Sequence, residues 1–464
     1  MPVPYWVQDS VFYHIFPDRF ANGDKSNDPP NLQKWGAKPN IWDFQGGDLR
    51  GIISRFDYLL ELGINAIYLN PIFQATSSHR YNTSDYYKID PKLGSLEDFS
   101  SLLEIAHRNN FRVILDGVFN HCGRGFFAFN DVLENGERSP YKNWFHAHRF
   151  PLDAFSPGDA LNYSGWWNHK SLPKFNTDNP EVRKYLLGIA KYWIELGADG
   201  WRLDVPNEIN DDGFWAEFRQ IVKNTNREAY IFGEIWEADP RWANESHFDG
   251  VMNYPVKNAL ISLLLGRETV KQFADTMDNL SKVYPRENLY AMYVPLGSHD
   301  TERILTALEG NIDKLKLAYL FQFAFPGAPA IYYGDEVGLE GGKDPDCRAA
   351  FPWDPADWKG DLQPWVRELI AVRKARASLR RGDYSRVMAV EENSVFACSR
   401  ILGEEKTLIV LNIGTEKQDI QIPVKSLNWH DGQIVRSILD QRPFTIAKNK
   451  LLITLPPLTG MYIG

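Results

Sequence analysis

Short apolar runs alternate with longer amphipathic stretches over most of the chain. Runs that read as buried strands occur at Val11–Phe16, Ala66–Asn70, Arg112–Asn120, Gly200–Val205, Tyr230–Trp236, Gly250–Tyr254, Met292–Ser298 and Ala330–Tyr333. Between them apolar residues recur at helical spacing in Leu49–Leu62, Leu96–Asn109, Pro180–Leu196 and Asp212–Asn226. Gly63 and Gly197 follow two of these stretches, where a helix commonly ends on a left-handed residue. Eight strands alternating with helices predict an α/β fold, an eight-stranded parallel β/α (TIM) barrel. The pattern alone also admits an open doubly wound sheet.

Two departures from the alternation shape the domain plan. From Cys122 to Asp178 the chain is irregular and rich in Gly, Asn, Phe, Trp and His. A structureless loop of that length is improbable in a compact domain, so residues 122–178 are expected to form a small inserted domain after strand 3. Its aromatics Phe126, Phe127, Trp144, Phe145, Trp166 and Trp167 are expected to form a lid. Beyond Leu379 the pattern changes to short alternating strands such as Val395–Ser399 and Thr407–Asn412. This predicts an antiparallel C-terminal β-sandwich over 380–464, leaving 1–121 and 179–379 to the barrel.

Composition narrows the function classes. A chain of 464 residues exceeds what one core usually supports, in keeping with several domains. The net charge of −9, without a long Lys/Arg run, argues against a nucleic-acid partner. No apolar run approaches the roughly 20 residues that span a bilayer. The first residues lack the basic and apolar segments of a secretory leader, so a cytoplasmic protein is expected. The three cysteines, Cys122, Cys347 and Cys398, are scattered and suggest neither a disulfide framework nor zinc. Aromatics reach 14%, with 15 Trp, which suits either a well-filled core or a site for the apolar faces of sugar rings.

In such a barrel, polar residues at the C-terminal strand ends face the active site. The third strand ends in Asp116-Gly-Val-Phe-Asn120-His121, and the fourth reads Gly-Trp-Arg202-Leu-Asp204. The fifth ends in Gly-Glu234-Ile-Trp236 and the seventh in Gly-Ser-His299-Asp300. Four segments thus carry an acid to the same end of the sheet. Arg202 and Asp204, two apart on a strand, share a face. Cleaving an acetal needs one carboxyl group to protonate the leaving oxygen and another to stabilise the oxocarbenium-like transition state. Arg202 beside Asp204 is expected to favour its ionised form. Glu234, on the next strand, suits the proton donor.

These four segments, in order and spacing, resemble the signature regions of the α-amylase family of glycoside hydrolases. The resemblance covers almost the whole chain. It implies Asp204 as nucleophile, Glu234 as general acid/base and Asp300 as the third carboxylate. Arg202, His121 and His299 would line the same subsite, with Asp116, Asn120 and Trp236 as further substrate-site residues. Leu172-Pro-Lys-Phe-Asn176 resembles a motif of neopullulanases, cyclomaltodextrinases and maltogenic amylases, and Val205-Pro-Asn-Glu208 resembles their Val-Ala-Asn-Glu. Pro206 departs from that pattern. Asp344 and Arg348 match a substrate-binding pair of the same group. The chain enters its first barrel strand almost at once, so the N-terminal β domain common in this group is expected to be absent. Whether the protein is a monomer or a dimer stays open.

The segment Asn22-Gly-Asp24-Lys-Ser-Asn27-Asp28 is dense in oxygen ligands. By itself it reads as a solvated turn. The resemblance implies a structural calcium site built from Asn22, Asp24, Asn27, Asp28, Gly46 and Asp48. The implied activity is retaining hydrolysis of α-1,4, and to some extent α-1,6, bonds in maltooligosaccharides and cyclodextrins. Alternatives are a glucosyltransferase or isomerase using the same carboxylates, or a sugar-binding barrel without catalysis.

Overall fold

Eight strands lie parallel in one sheet: β1 (Phe12–Ile15), β2 (Ala66–Leu69), β3 (Arg112–Gly117), β4 (Gly200–Leu203), β5 (Tyr230–Gly233), β6 (Gly250–Val251), β7 (Tyr293–Pro295) and β8 (Ala328–Tyr332). Their spatial order is β6-β5-β4-β3-β2-β1-β8-β7. A parallel bridge between Met252 and Tyr293 joins the two ends. The sheet is therefore a barrel, and the doubly wound alternative falls. The computed structural model describes residues 2–392 and 394–464. Met1 and Asn393, which fall within the barrel and C-terminal ranges expected above, lie outside the described residues.

The strands alternate, but both faces are apolar. Phe12, Tyr68, Ile114, Tyr230, Phe232, Tyr293 and Ala330 fill the inside of the barrel. Tyr13, Ile67, Leu69, Val113, Leu115 and Ile231 belong to the larger core shared with the surrounding helices. Strands covered on both faces read as continuous apolar runs, and that is how they look in the sequence. Several observed strands are shorter than their apolar runs. β6 stops at Val251 because the helix Tyr254–Leu264 starts with a proline in its first turn. The Leu49–Leu62 stretch forms two helices, Leu49–Ser54 and Phe56–Leu62, broken at Arg55. The second ends at Gly63, whose φ of 92° is left-handed.

Between β3 and the helix Pro180–Glu195, residues 122–178 form one helix, Phe127–Asn135, and several single turns. Isolated antiparallel bridges tie this segment to itself and to the barrel: His121 with Lys174, Phe145 with Phe175, and Gly165 with Pro173. Phe126, Trp144 and Phe145 are buried in the core that the segment shares with the barrel, contrary to the expectation that all six aromatics form a lid. Trp166 and Trp167 are the pair that continues from the barrel mouth.

After the helix Ala377–Arg381, a four-stranded antiparallel sheet holds β9 (Asp383–Val390), β10 (Val395–Leu402), β11 (Glu405–Asn412) and Thr459–Ile463. One face packs Phe396, Ile409 and Tyr462 onto the barrel's helices. The other faces the antiparallel pair of Gln418–Pro423 and Lys450–Leu455 across a separate core containing Val410, Ile422 and Leu451. Among the described residues no helix is long and apolar enough to cross a membrane.

Candidate active site

The inner layer at the C-terminal end of the barrel is polar. Strand register sets it: His14 of β1 lies opposite Tyr68 of β2, and Asp116 of β3 opposite Arg202 of β4. Arg202 is fully buried and serves three acids with one guanidinium. Nη1 lies 2.9 Å from Asp116 Oδ1 and 3.0 Å from Asp204 Oδ1, and Nη2 lies 2.8 Å from Glu234 Oε2. Asp116 is braced from behind by the hydroxyls of Tyr68 and Tyr81, which donate to Oδ2 at 2.6 and 2.7 Å.

Asp204 follows directly on β4, and the next residue turns sharply: Val205 has φ 35°, a left-handed conformation unusual for a β-branched residue. That turn aims the Val205 N–H at Glu234 Oε2, at 3.1 Å. The Trp236 indole N–H donates to the other oxygen at 3.2 Å. Trp236 itself lies flat on Tyr254, with ring centres 4.1 Å apart.

Asp300 sits across the mouth. His299 Nε2 is 2.9 Å from its Oδ2, and Arg348 Nη2 donates to its Oδ1 at 3.1 Å. Arg348 also reaches Asp344, at 3.0 Å. His299 is held by Asn70 at 3.1 Å and by the Tyr81 hydroxyl at 2.7 Å, and stacks on the Tyr81 ring. His121 stacks on Trp166 at 5.7 Å, and its Nδ1 faces Asn120 Nδ2 at 3.1 Å. Glu208 lies at the edge, paired with Lys174 at 3.2 Å. The two short motifs that carry these residues therefore meet in space.

The charges respond to this setting. Burial pushes the Asp204 carboxyl well above its ordinary range and raises Glu234 too, with Arg202 opposing both. The sequence led us to expect Arg202 to keep Asp204 ionised. It does bond Asp204, but it is divided among three acids, and burial outweighs it. Two neighbouring carboxyls that share one proton supply one acid and one anion. Asp300 is held low: burial would raise it, but His299 and Arg348 outweigh that. Burial pushes His121 down to about 3, so it is neutral.

Several residues of the site escaped the sequence reading. Tyr68, Tyr81, Asn70 and His14 form its floor, and His14 Nε2 lies 2.8 Å from Asn70 Oδ1. The strand pattern placed His14 and Tyr68 inward, which was the available signal. Tyr81 comes from a loop and gave none.

The six oxygen-rich residues gather beside the first strand, but not all have free oxygens. The Asp48 carboxylate caps the helix Leu49–Ser54 and accepts N–H groups of Gly23 and Asp24 at 3.0 and 2.8 Å. Asp24 pairs with Arg50 at 2.7 Å. Asn22 Oδ1 and Asn27 Oδ1 are buried without a hydrogen-bond partner. Asp28 Oδ1 accepts from Asn22 Nδ2 at 2.7 Å, and a Cβ on Gly46 would lie 2.7 Å from both of these atoms. The two unpartnered Asn oxygens, hard ligands beside the Asp28 carboxylate, fit a cation such as calcium. Among the described residues no group of three or more His, Cys, Asp or Glu converges as a metal cluster.

A parallel barrel with acids at the ends of β3, β4 and β5 on one guanidinium, and a fourth acid beyond β7 facing them, defines a barrel hydrolase of the glycosidic-bond class. Known proteins agree. Residues 14–378 match the catalytic domain of α-amylases, and residues 385–463 match the C-terminal domain of maltogenic amylases. The chain therefore belongs to the α-amylase family. A cyclomaltodextrinase of Geobacillus thermopakistaniensis is 44% identical over 457 residues, 98% of this chain and 76% of that protein. Neopullulanase 2 of Thermoactinomyces vulgaris is 41% identical over 464 residues, 99% of this chain and 78% of that one. A solved structure of cyclic α-maltosyl-(1→6)-maltose hydrolase from Arthrobacter globiformis, in complex with that sugar, superposes with a TM-score of 0.91. It is 38% identical and covers 100% of both chains.

Proposed function

We propose that this protein hydrolyses α-1,4, and to a lesser extent α-1,6, glucosidic bonds of maltooligosaccharides and cyclodextrins by double displacement. The observation that carries this reading is the sharing of Arg202 between Asp204 and Glu234 at adjacent strand ends, with Asp300 opposite. In this reading Asp204 attacks the anomeric carbon while Glu234 gives its proton to the leaving oxygen. Glu234 then takes a proton from water, which releases the sugar from Asp204. Asp300, fixed by His299 and Arg348, grips ring hydroxyls. His121 and Arg202 line the same subsite, with Asp116 and Asn120 behind them. Trp236, Asp344, Arg348 and Glu208 extend the contact surface. Relatives named for cyclodextrins and pullulan, and a neighbour solved with a cyclic maltosyl sugar, support this substrate class. The three free, buried cysteines suit a reducing cytoplasm.

Two inversions at one carbon restore its configuration, so the first product formed is expected to be the α anomer. Proton NMR in the first minutes of maltotriose cleavage checks this, and a β product would overturn double displacement. The same digest separates hydrolysis from transfer: free glucose and maltose are expected, not longer oligosaccharides or a rearranged disaccharide.

The loop of Asn22, Asp24, Asn27, Asp28, Gly46 and Asp48 would hold calcium through the two unpartnered Asn oxygens and Asp28, tying the first barrel loop together. A ligand that binds only the native state raises stability by mass action. Chelator-treated protein is expected to melt several degrees below the calcium-loaded form and to recover on adding calcium. Coincident melting curves would remove the metal from this picture.

A further inference from the structure

The aromatic stack that starts at His121 does not end at Trp166. Trp167 lies parallel on Trp166, with ring centres 4.7 Å apart and planes within 9°. Three rings, His121, Trp166 and Trp167, thus lead in sequence from the catalytic pocket to solvent. At the outer end the Trp167 side chain is 72% exposed.

The backbone is shaped to present it. Trp167 has φ 46° and ψ 36°, and Asn168 follows with φ 62°, so two non-glycine residues in succession are left-handed. The turn is closed by Asn168 N–H on Gly165 O at 3.1 Å and His169 N–H on Trp166 O at 2.9 Å. Gly165 is needed for that closure, because a Cβ there would sit 2.4 Å from His169 O. Its bridge to Pro173 ties the turn to the Leu172–Asn176 motif at the site. A large indole in a left-handed turn costs stability and gains no burial on its outer face. Such strain persists where a function holds it.

We infer that Trp167 is a sugar-stacking platform forming an outer subsite for longer α-glucan chains, one glucosyl contact beyond those at the carboxylates. The ligand follows from continuity with the catalytic pocket and from chemistry. One face of the indole is spoken for by Trp166, and the other offers a flat apolar surface beside the exposed Asn168 amide, matching a pyranose ring and its hydroxyls. This inference rests on the α-glucan reading of the site.

The test compares kcat/KM for maltoheptaose and maltotriose in wild type, Trp167→Ala, Trp167→Gly and Trp167→Phe. The ratio of the two is expected to fall about tenfold in the Ala and Gly variants and to stay within about threefold in the Phe variant. Because glycine accepts a left-handed φ, the Gly variant is expected to melt above the Ala variant. Maltoheptaose binding to Glu234→Gln, followed by fluorescence, should weaken by the same factor when Trp167→Ala is added. A wild type inert on both sugars would overturn the hydrolase reading and this subsite with it. An active enzyme whose ratio and affinity do not change would overturn the subsite alone and leave Trp167 as a cover for Trp166.

Discussion

Asp204→Asn and Glu234→Gln are each expected to reduce kcat on maltotriose by at least about 10³-fold, roughly 4 kcal/mol of barrier, while the protein stays folded. The two roles cannot be shared. An amide at 204 offers no anion to the anomeric carbon, and an amide at 234 has no proton to give. Stability should move the other way from activity. Both carboxyls are buried, and burial raises both. Neutral isosteres escape that cost and keep the shape, so melting temperatures are expected to hold or rise. Steady-state kinetics beside calorimetry check both halves. Activity within about tenfold of wild type for either variant would sink the assignment. A collapse in melting temperature would make these residues structural instead.

Arg202→Met is expected to abolish measurable activity and to cost about 3–5 kcal/mol of stability, the usual penalty for leaving buried charge without its partner. Three acids depend on this guanidinium, two through Nη1 and the third through Nη2. Arg202→Lys should recover little, since one ammonium cannot reproduce the planar fork. The pH dependence has a defined sign. Removing the cation raises the folded-state pKa of Asp204 and Glu234 still further above their unfolded values. The native state of the variant then binds more protons than the unfolded chain, so its stability falls as pH rises. The deficit relative to wild type should therefore be smaller at pH 5 than at pH 8. Urea titrations at the two pH values measure it. A deficit independent of pH, or one that grows in acid, would show that Arg202 acts through packing and not as the counter-charge of the carboxylates.

The barrel was legible because its strands are covered on both faces. Each of the eight apolar runs contains or overlaps an observed strand, and the helices between them carry ordinary stop signals such as Gly63. Strand ends were less legible. The run at Arg112–Asn120 continues as buried loop beyond Gly117, and that at Gly250–Tyr254 runs into the next helix; apolar content does not tell these from a strand. The lid was over-read for a similar reason. Phe126 and Phe145 are aromatic like Trp166, yet they are buried in the core that the segment shares with the barrel.

By itself the sequence determined the chemistry available: four strand ends with an acid, one arginine two residues before an acid, and a family signature in order. Those are local facts, set by strand periodicity and by residues close together in the chain. Only the tertiary structure decided how the groups share charge. Arg202 is divided among Asp116, Asp204 and Glu234 because register places β3, β4 and β5 side by side, and burial opposes its pull on Asp204 and Glu234. The floor of Tyr68, Tyr81, Asn70 and His14, and the ring stack out to Trp167, also appear only there. They join residues far apart in the chain, and no local pattern records a contact that exists only once the barrel has closed.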